Sequence, residues 1–75
     1  MDIRKVFGAN VRSYRLAAGL SQEAVAERMG VDRAHVSAIE RGRQNATLLT
    51  IWQVAQALKV RPAELLTEVE TKSKP

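Results

Sequence analysis

The sequence predicts an all-α domain of five helices, and three observations carry that prediction. Apolar residues recur at helical spacing in segments separated by short polar stretches. The segments open on residues whose side-chain oxygens cap helix N-termini (Asp2, Ser21, Asp32, Thr47) or on a proline (Pro62), and glycines at 19, 30 and 42 stand where three of them end. The central stretch Ser21–Gly42, SQEAVAERMGVDRAHVSAIERG, has the layout of two short helices joined by a tight turn.

The first helix is predicted over residues 3–17, capped by Asp2. Val6, Phe7, Val11 and Tyr14 fall at i, i+1, i+5 and i+8, a stripe wide enough to bury. Gly8 weakens this helix by about 1 kcal/mol relative to alanine, and a close crossing by another helix is the expected compensation. Ala17, Ala18 and Gly19 close it, and Leu20 leads into the central motif.

In the motif, Val25, Ala26 and Met29 form one apolar run that Gly30 stops. A second run begins after Asp32, with Val36 and Ile39 inward, and ends at Gly42. Placing residues every 100° or so puts Val36, Ile39 and Glu40 on one side of that second helix. Ala34, Ser37, Ala38 and Arg41 lie on the other, with Arg33 and His35 flanking. The outward face is therefore small and polar. Such a helix, about 12 Å long, fits a DNA major groove about 12 Å wide and can approach base edges closely.

Arg41, Arg43, Gln44 and Asn45 surround Gly42 in the following loop, where long donors suit the phosphates flanking the groove. Thr47 caps a fourth helix, Leu48 to Leu58. Leu48, Ile51, Val54, Ala55 and Leu58 make its expected core stripe, with Leu49 and Trp52 beside it, and this is more apolar surface than one small domain buries. Arg61-Pro62 starts a fifth helix whose apolar side holds Leu65, Leu66 and Val69. Leu49, Trp52, Leu65, Leu66 and Val69 are candidates for a twofold-symmetric dimer interface; completion of the monomer core is the competing assignment for Leu65 and Leu66. The expected domain covers residues 1–70, and residues 71–75, TKSKP, are expected to fray.

At these positions the chain resembles a known family. LSQEAVAERMGVDRAHVSAIERGRQNATLLTIWQVAQAL looks like the lambda-repressor-like, Xre/Cro-type helix-turn-helix regulators, a likeness extending over about residues 7–66. Within that family the DRxxxSxIERGxxNxTL run is similar to restriction-modification controller proteins. The resemblance implies a five-helix lambda-repressor-like fold and a transcriptional regulator that binds double-stranded DNA as a homodimer. It implies a phosphate contact at Gln22, beside the Ser21 cap, where a helix N-terminus favours anions. It also implies an ion pair between Arg15 and Glu40, which agrees with the inward turn of Glu40. Base contacts are expected from Arg33, Ala34, His35, Ser37 and Ala38: Arg33 is suited to guanine, and the alanine methyls reach at most thymine methyls. Phosphate contacts are expected from Ser21, Gln22, Arg41, Arg43, Gln44 and Asn45. An inverted-repeat operator with half-sites one helical turn apart follows from dimer symmetry. Glu23 and Glu27 form an acidic patch that is a candidate contact for RNA polymerase. Antitoxins and phage-type repressors are rival assignments, as is a protein-interaction module that uses the Leu49–Trp52 patch.

Composition bounds the alternatives. The chain has 45% hydrophobic and 27% charged residues, a globular composition, and a formal net charge of +4 that favours a polyanionic partner. It has no cysteine, which excludes disulfides and thiolate metal sites. No apolar run approaches the roughly 20 residues of a membrane span, and the N-terminus lacks the apolar core of a secretory signal, so a cytoplasmic location is expected. His35 is the sole histidine, Ser21, Ser37 and Ser73 lack a nucleophile-elbow context, and the glutamates are scattered over helix faces. No enzymatic activity, cofactor, metal or small-molecule ligand is expected.

Overall fold

The computed structural model describes residues 1–68, so Val69 and the expected frayed tail lie outside the described residues. Five helices follow in order: α1 (Ile3–Ala17), α2 (Gln22–Met29), α3 (Arg33–Glu40), α4 (Leu48–Leu58) and α5 (Pro62–Leu65). Among the described residues there is no strand, and no helix is long and apolar enough to cross a membrane.

The helix starts follow from side-chain chemistry. The carboxylate of Asp2 accepts from the Arg4 backbone N–H at 3.0 Å, the Ser21 hydroxyl from Ala24 at 3.0 Å, and the Thr47 hydroxyl from Thr50 at 3.1 Å. Each satisfies an N–H that the helix itself leaves unpaired. Asp2 also holds the Arg4 guanidinium at 3.0 Å, and these bonds lower its carboxyl pKa. The cap's contribution is therefore present at neutral pH and is lost as pH falls through that lowered value. Asp32 differs from expectation: it has the extended backbone of an N-cap, but its side chain makes no capping bond. A negative group at that end still suits the α3 dipole. Pro62 opens α5, and the Glu64 carboxylate accepts from the Arg61 N–H at 3.0 Å.

The first four helices end in one way. A left-handed residue follows the helix, and the next N–H returns five residues back: Leu20 to Arg15, Val31 to Ala26, Arg43 to Ala38 and Val60 to Ala55, at 2.9 to 3.1 Å. Three of the left-handed residues are glycines. The fourth is Lys59, with φ of 60°, where no glycine marks the end in sequence. Gly42 is needed for space as well, because a Cβ there would lie 2.8 Å from the Lys5 Cγ.

Every helix sends apolar side chains to one core: Phe7 and Val11; Val25, Ala26 and Met29; Val36 and Ile39; Val54, Ala55, Ala57 and Leu58; and Leu65. Two expectations are corrected by this packing. Leu48, placed in the α4 core stripe by its spacing, is 86% exposed, because it begins the helix and the packed layer starts one turn later at Ile51. Leu65, a candidate for a subunit interface, is wholly buried within the monomer, so it belongs to the core.

Polar ties hold α5 and α4 in place. Asn10, buried on α1, donates from its amide to the carbonyls of Leu65 and Thr67, each at 2.9 Å. Arg28 donates to the Ala57 carbonyl at the end of α4, also at 2.9 Å.

The crossing of α1 over α3 explains Gly8. A Cβ there would fall on the Ile39 carbonyl oxygen and lie 3.0 Å from that of Glu40, so the two backbones touch. Gly8→Ala should therefore destabilise the domain, because overpacking of about 1–3 kcal/mol outweighs a helix-propensity gain of about 1 kcal/mol. Urea denaturation checks this; a more stable variant would contradict the close crossing.

Candidate nucleic-acid interface

The geometry of the interface starts from what anchors α3. Arg15 reaches from α1 to Glu40 at the C-terminal end of α3, with Nε donating to Oε2 at 2.6 Å and Nη2 to Oε1 at 3.1 Å. The side chains are only 8% and 3% exposed, so this is a buried, two-pronged ion pair. Nη1 of Arg15 also donates to the Leu20 carbonyl at 2.9 Å. The hydrogen bonds that Arg15 donates to Glu40 raise its pKa above the ordinary value, against the opposing effect of burial, so the cation persists at any ordinary pH.

With that end fixed, α3 buries Val36 and Ile39 and turns its other face outward. Arg33 and Ala34 are exposed, and His35, Ser37 and Ala38 are half-buried. No large apolar side chain projects from this face, so its backbone can come close to a flat or grooved partner. All five residues expected to contact bases thus lie at or beside the outer surface of one helix.

The flanking polar residues fall into three settings. Ser21 is exposed, and its oxygen is engaged by the α2 backbone, which leaves its O–H free to donate. Arg41 follows α3 and donates to the Ser37 hydroxyl oxygen at 2.6 Å, tying the loop back to the helix face. Arg43 is exposed, whereas Gln44 and Asn45 line a small crevice with Ile3, Phe7, Ile51 and Leu66. These last two therefore border the apolar end of the molecule as well as the loop.

Gln22 is the residue whose setting differs most from the sequence-based expectation. Its amide is half-buried and engaged on both sides: Nε2 donates to Oε1 of Glu40 at 3.1 Å, and Oε1 accepts from Nη1 of Arg33 at 3.3 Å. Spacing along the chain gave no sign of either bond, because they join residues 18 and 11 positions apart. Asn10 was also missed, although a polar residue three positions after Phe7, on the face that buries Val11 and Tyr14, is a signal that it is tied inward.

A separate apolar surface lies on α4 and beside it. Leu48, Leu49 and Trp52 are 86%, 63% and 53% exposed, and Ile3 and Leu66, which line the crevice with Ile51, are 50% and 39% exposed. Of the interface candidates, Leu49, Trp52 and Leu66 are thus accessible, Leu65 is not, and Val69 lies outside the described residues.

Comparison with known proteins places this architecture. The profile of the helix-turn-helix family matches residues 11–65. The HTH-type transcriptional regulator y4dJ of Sinorhizobium fredii is 43% identical over 70 residues, covering 93% of this chain and 91% of that protein. The control protein C.SmaI of Serratia marcescens is 43% identical over 67 residues, covering 89% and 80% respectively. Among solved structures, the restriction-modification controller protein C.AhdI from Aeromonas hydrophila superposes with a TM-score of 0.79 at 44% identity, covering 83% of this chain and 94% of that one.

The buried pair generates a stability prediction. Arg15→Met should destabilise the domain by about 3–5 kcal/mol, because Glu40 is left as a buried charge without its cation. Replacing both, as R15M/E40L, should recover most of that loss, since apolar side chains fill such sites well. Denaturant titration of the two single variants and the double variant measures the coupling.

Proposed function

The chain belongs to the helix-turn-helix family of transcriptional regulators, and from that premise we propose that it is a sequence-specific regulator that binds an inverted-repeat operator as a homodimer. The observation that carries this reading is the outer face of α3: small side chains, Arg33 at one end and Arg41 at the other, on a helix anchored from behind by a buried ion pair.

The mechanism follows from charge and shape. Arg41 and Arg43, with the N-terminal end of α2 at Ser21, contact phosphates on either side of a major groove and release condensed counterions, which makes affinity strongly salt-dependent. Between them α3 presents Arg33 to a guanine and Ser37 to a neighbouring base edge, while Ala34 and Ala38 admit thymine methyls. Few direct hydrogen bonds are on offer, so sequence-dependent DNA shape supplies part of the specificity.

Leu48, Leu49, Trp52, Ile3 and Leu66 supply the surface for a second copy. One aromatic anchor in an apolar patch suits a self-complementary interface. Binding to one side of the duplex requires that a twofold axis there set two α3 helices about 34 Å apart. The control protein C.SmaI and the controller protein C.AhdI are similar to this chain nearly throughout, which supports an autoregulatory controller role. Glu23 and Glu27 are exposed on α2, where a bound dimer offers them to a polymerase at an adjacent promoter.

Selection from a randomised DNA pool with the purified chain tests the core of this reading. Recovery of a motif with two inverted half-sites supports it, and recovery of no motif by a folded protein removes it. Arg43→Ala should weaken binding about equally on all sequences and reduce the slope of log affinity against log salt by about 1; salt titrations check it. Trp52→Asp should leave the monomer folded, because the side chain is half outside already, and weaken self-association at least about tenfold. Sedimentation equilibrium gives the dimer constant.

A further inference from the structure

We propose that Arg41 is a positioning residue for base readout: its guanidinium occupies the Ser37 hydroxyl oxygen, so that Ser37 meets DNA as a hydrogen-bond donor and selects a base edge that accepts. The inference rests on the reading of α3 as the base-contacting helix.

A serine hydroxyl by itself discriminates poorly, because it has one proton and two lone pairs and can pair with any base. Its neighbour on α3 removes that ambiguity. Nη1 of Arg41 donates to Oγ of Ser37 at 2.6 Å, a short, charge-assisted bond that takes one lone pair and turns the hydroxyl proton away from the guanidinium. The Arg41 backbone N–H also donates to the Ser37 carbonyl at 3.1 Å, so the two residues are held together through main chain and side chain. Hydroxyls on helical backbone often donate to the carbonyl four residues earlier, as Thr67 does to Ala63 at 2.7 Å. Ser37 makes no such bond among the described residues, and its proton is left for a partner outside the chain.

Charge acts in the same direction. A cation 2.6 Å from the oxygen polarises the O–H and strengthens its donation. It also repels the amino hydrogens of a base while attracting ring nitrogens and carbonyl oxygens. In the major groove cytosine presents only an amino group, whereas guanine N7 and O6, adenine N7 and thymine O4 all accept. Cytosine is therefore the base that the pair excludes. Arg41 itself is kept in place, since it follows the C-terminal end of α3, where the helix dipole favours a cation, and it pairs with no carboxylate among the described residues. One N–H goes to Ser37, and the other donors of the guanidinium remain for a phosphate, so the two tasks do not compete. Arg33, Ser37 and Arg41 recur every fourth residue, about 6 Å apart along the axis, as one donating stripe.

The test uses the full chain, with Ser37→Ala, Arg41→Met, Arg33→Ala and the double variant S37A/R41M. None of these positions is buried, and thermal melts check that each variant folds. Relative affinities for all four bases at each position of the selected half-site are measured by competition, at salt low enough for Arg41→Met to bind. Ser37→Ala should abolish the preference at one base pair. Arg41→Met should relax the exclusion of cytosine at that same base pair by about 3- to 10-fold, on top of a uniform loss from its phosphate contact. The double variant should show the Ser37→Ala profile there. Base analogues that each lack one accepting atom, 7-deazapurines for N7, 2-aminopurine for O6 and 5-methyl-2-pyrimidinone for O4, identify the partner. One of them should weaken the unaltered chain by about 3- to 10-fold relative to Ser37→Ala. A uniform loss for Arg41→Met with an unchanged base profile would overturn the proposal and leave Arg41 a plain phosphate contact, as would a preference for cytosine at the Ser37 position. An effect of Arg33→Ala without one of Ser37→Ala would overturn the proposal and keep α3 as the base-contacting helix. Unaltered profiles for both would overturn that reading as well.

Discussion

The contact between α1 and the C-terminal end of α3 is the constraint on which the interface depends. At that end the helix carries the negative pole of its dipole, and Glu40 adds a full negative charge in a place that excludes water. Neither is tolerable alone. Arg15 supplies the compensating cation through two hydrogen bonds, and Gly8 lets the α1 backbone come close enough for the reach to be short. Val36 and Ile39 then fill the space between the helices, and the opposite face of α3 has no direction left but outward.

This arrangement separates two tasks on adjacent surfaces. Residues that anchor α3 are buried and close to one another, so the helix is held as a rigid part rather than by its own weak propensity over eight residues. Residues on its outer face are small, which gives up packing in exchange for access. At the far side α4 has more apolar surface than the core of so small a domain accommodates, and Leu48, Leu49 and Trp52 remain outside. A chain of this size gains much from burying such a surface against a second copy. In the proposed dimer, the apolar surface left outside the monomer core is also what would set the two α3 helices with respect to each other.

Where sequence reasoning succeeded and failed can be seen residue by residue. The limits of α1 and α4 and the caps at Asp2, Ser21 and Thr47 were legible because they depend on neighbours within one turn. The Arg15–Glu40 pair was legible through family likeness and through the inward turn of Glu40. Leu48 was misassigned because periodicity states which residues share a face, not where along the helix the opposing layer stops. Leu65 was open to two assignments for the same reason, and burial decided it. The end of α4 at Lys59 carried no glycine signal, although Arg61-Pro62 just beyond marked a limit to the helix.

The sequence by itself determined the number and order of the five helices, though α5 ends at Leu65 and leaves Leu66, expected on its apolar side, just beyond it; it also determined the turn between α2 and α3, the inward and outward faces of α3 and the concentration of arginine beside it. All of these follow from interactions among residues a few positions apart, whose geometry the backbone fixes in advance. Only the tertiary structure decided that Gln22 spends its amide on Glu40 and Arg33, that Leu65 completes the core while Leu48 stays outside, and that Asn10 holds the last helix. Those outcomes depend on distances between residues from 11 to 57 positions apart, set by how helices pack, and no local pattern encodes them.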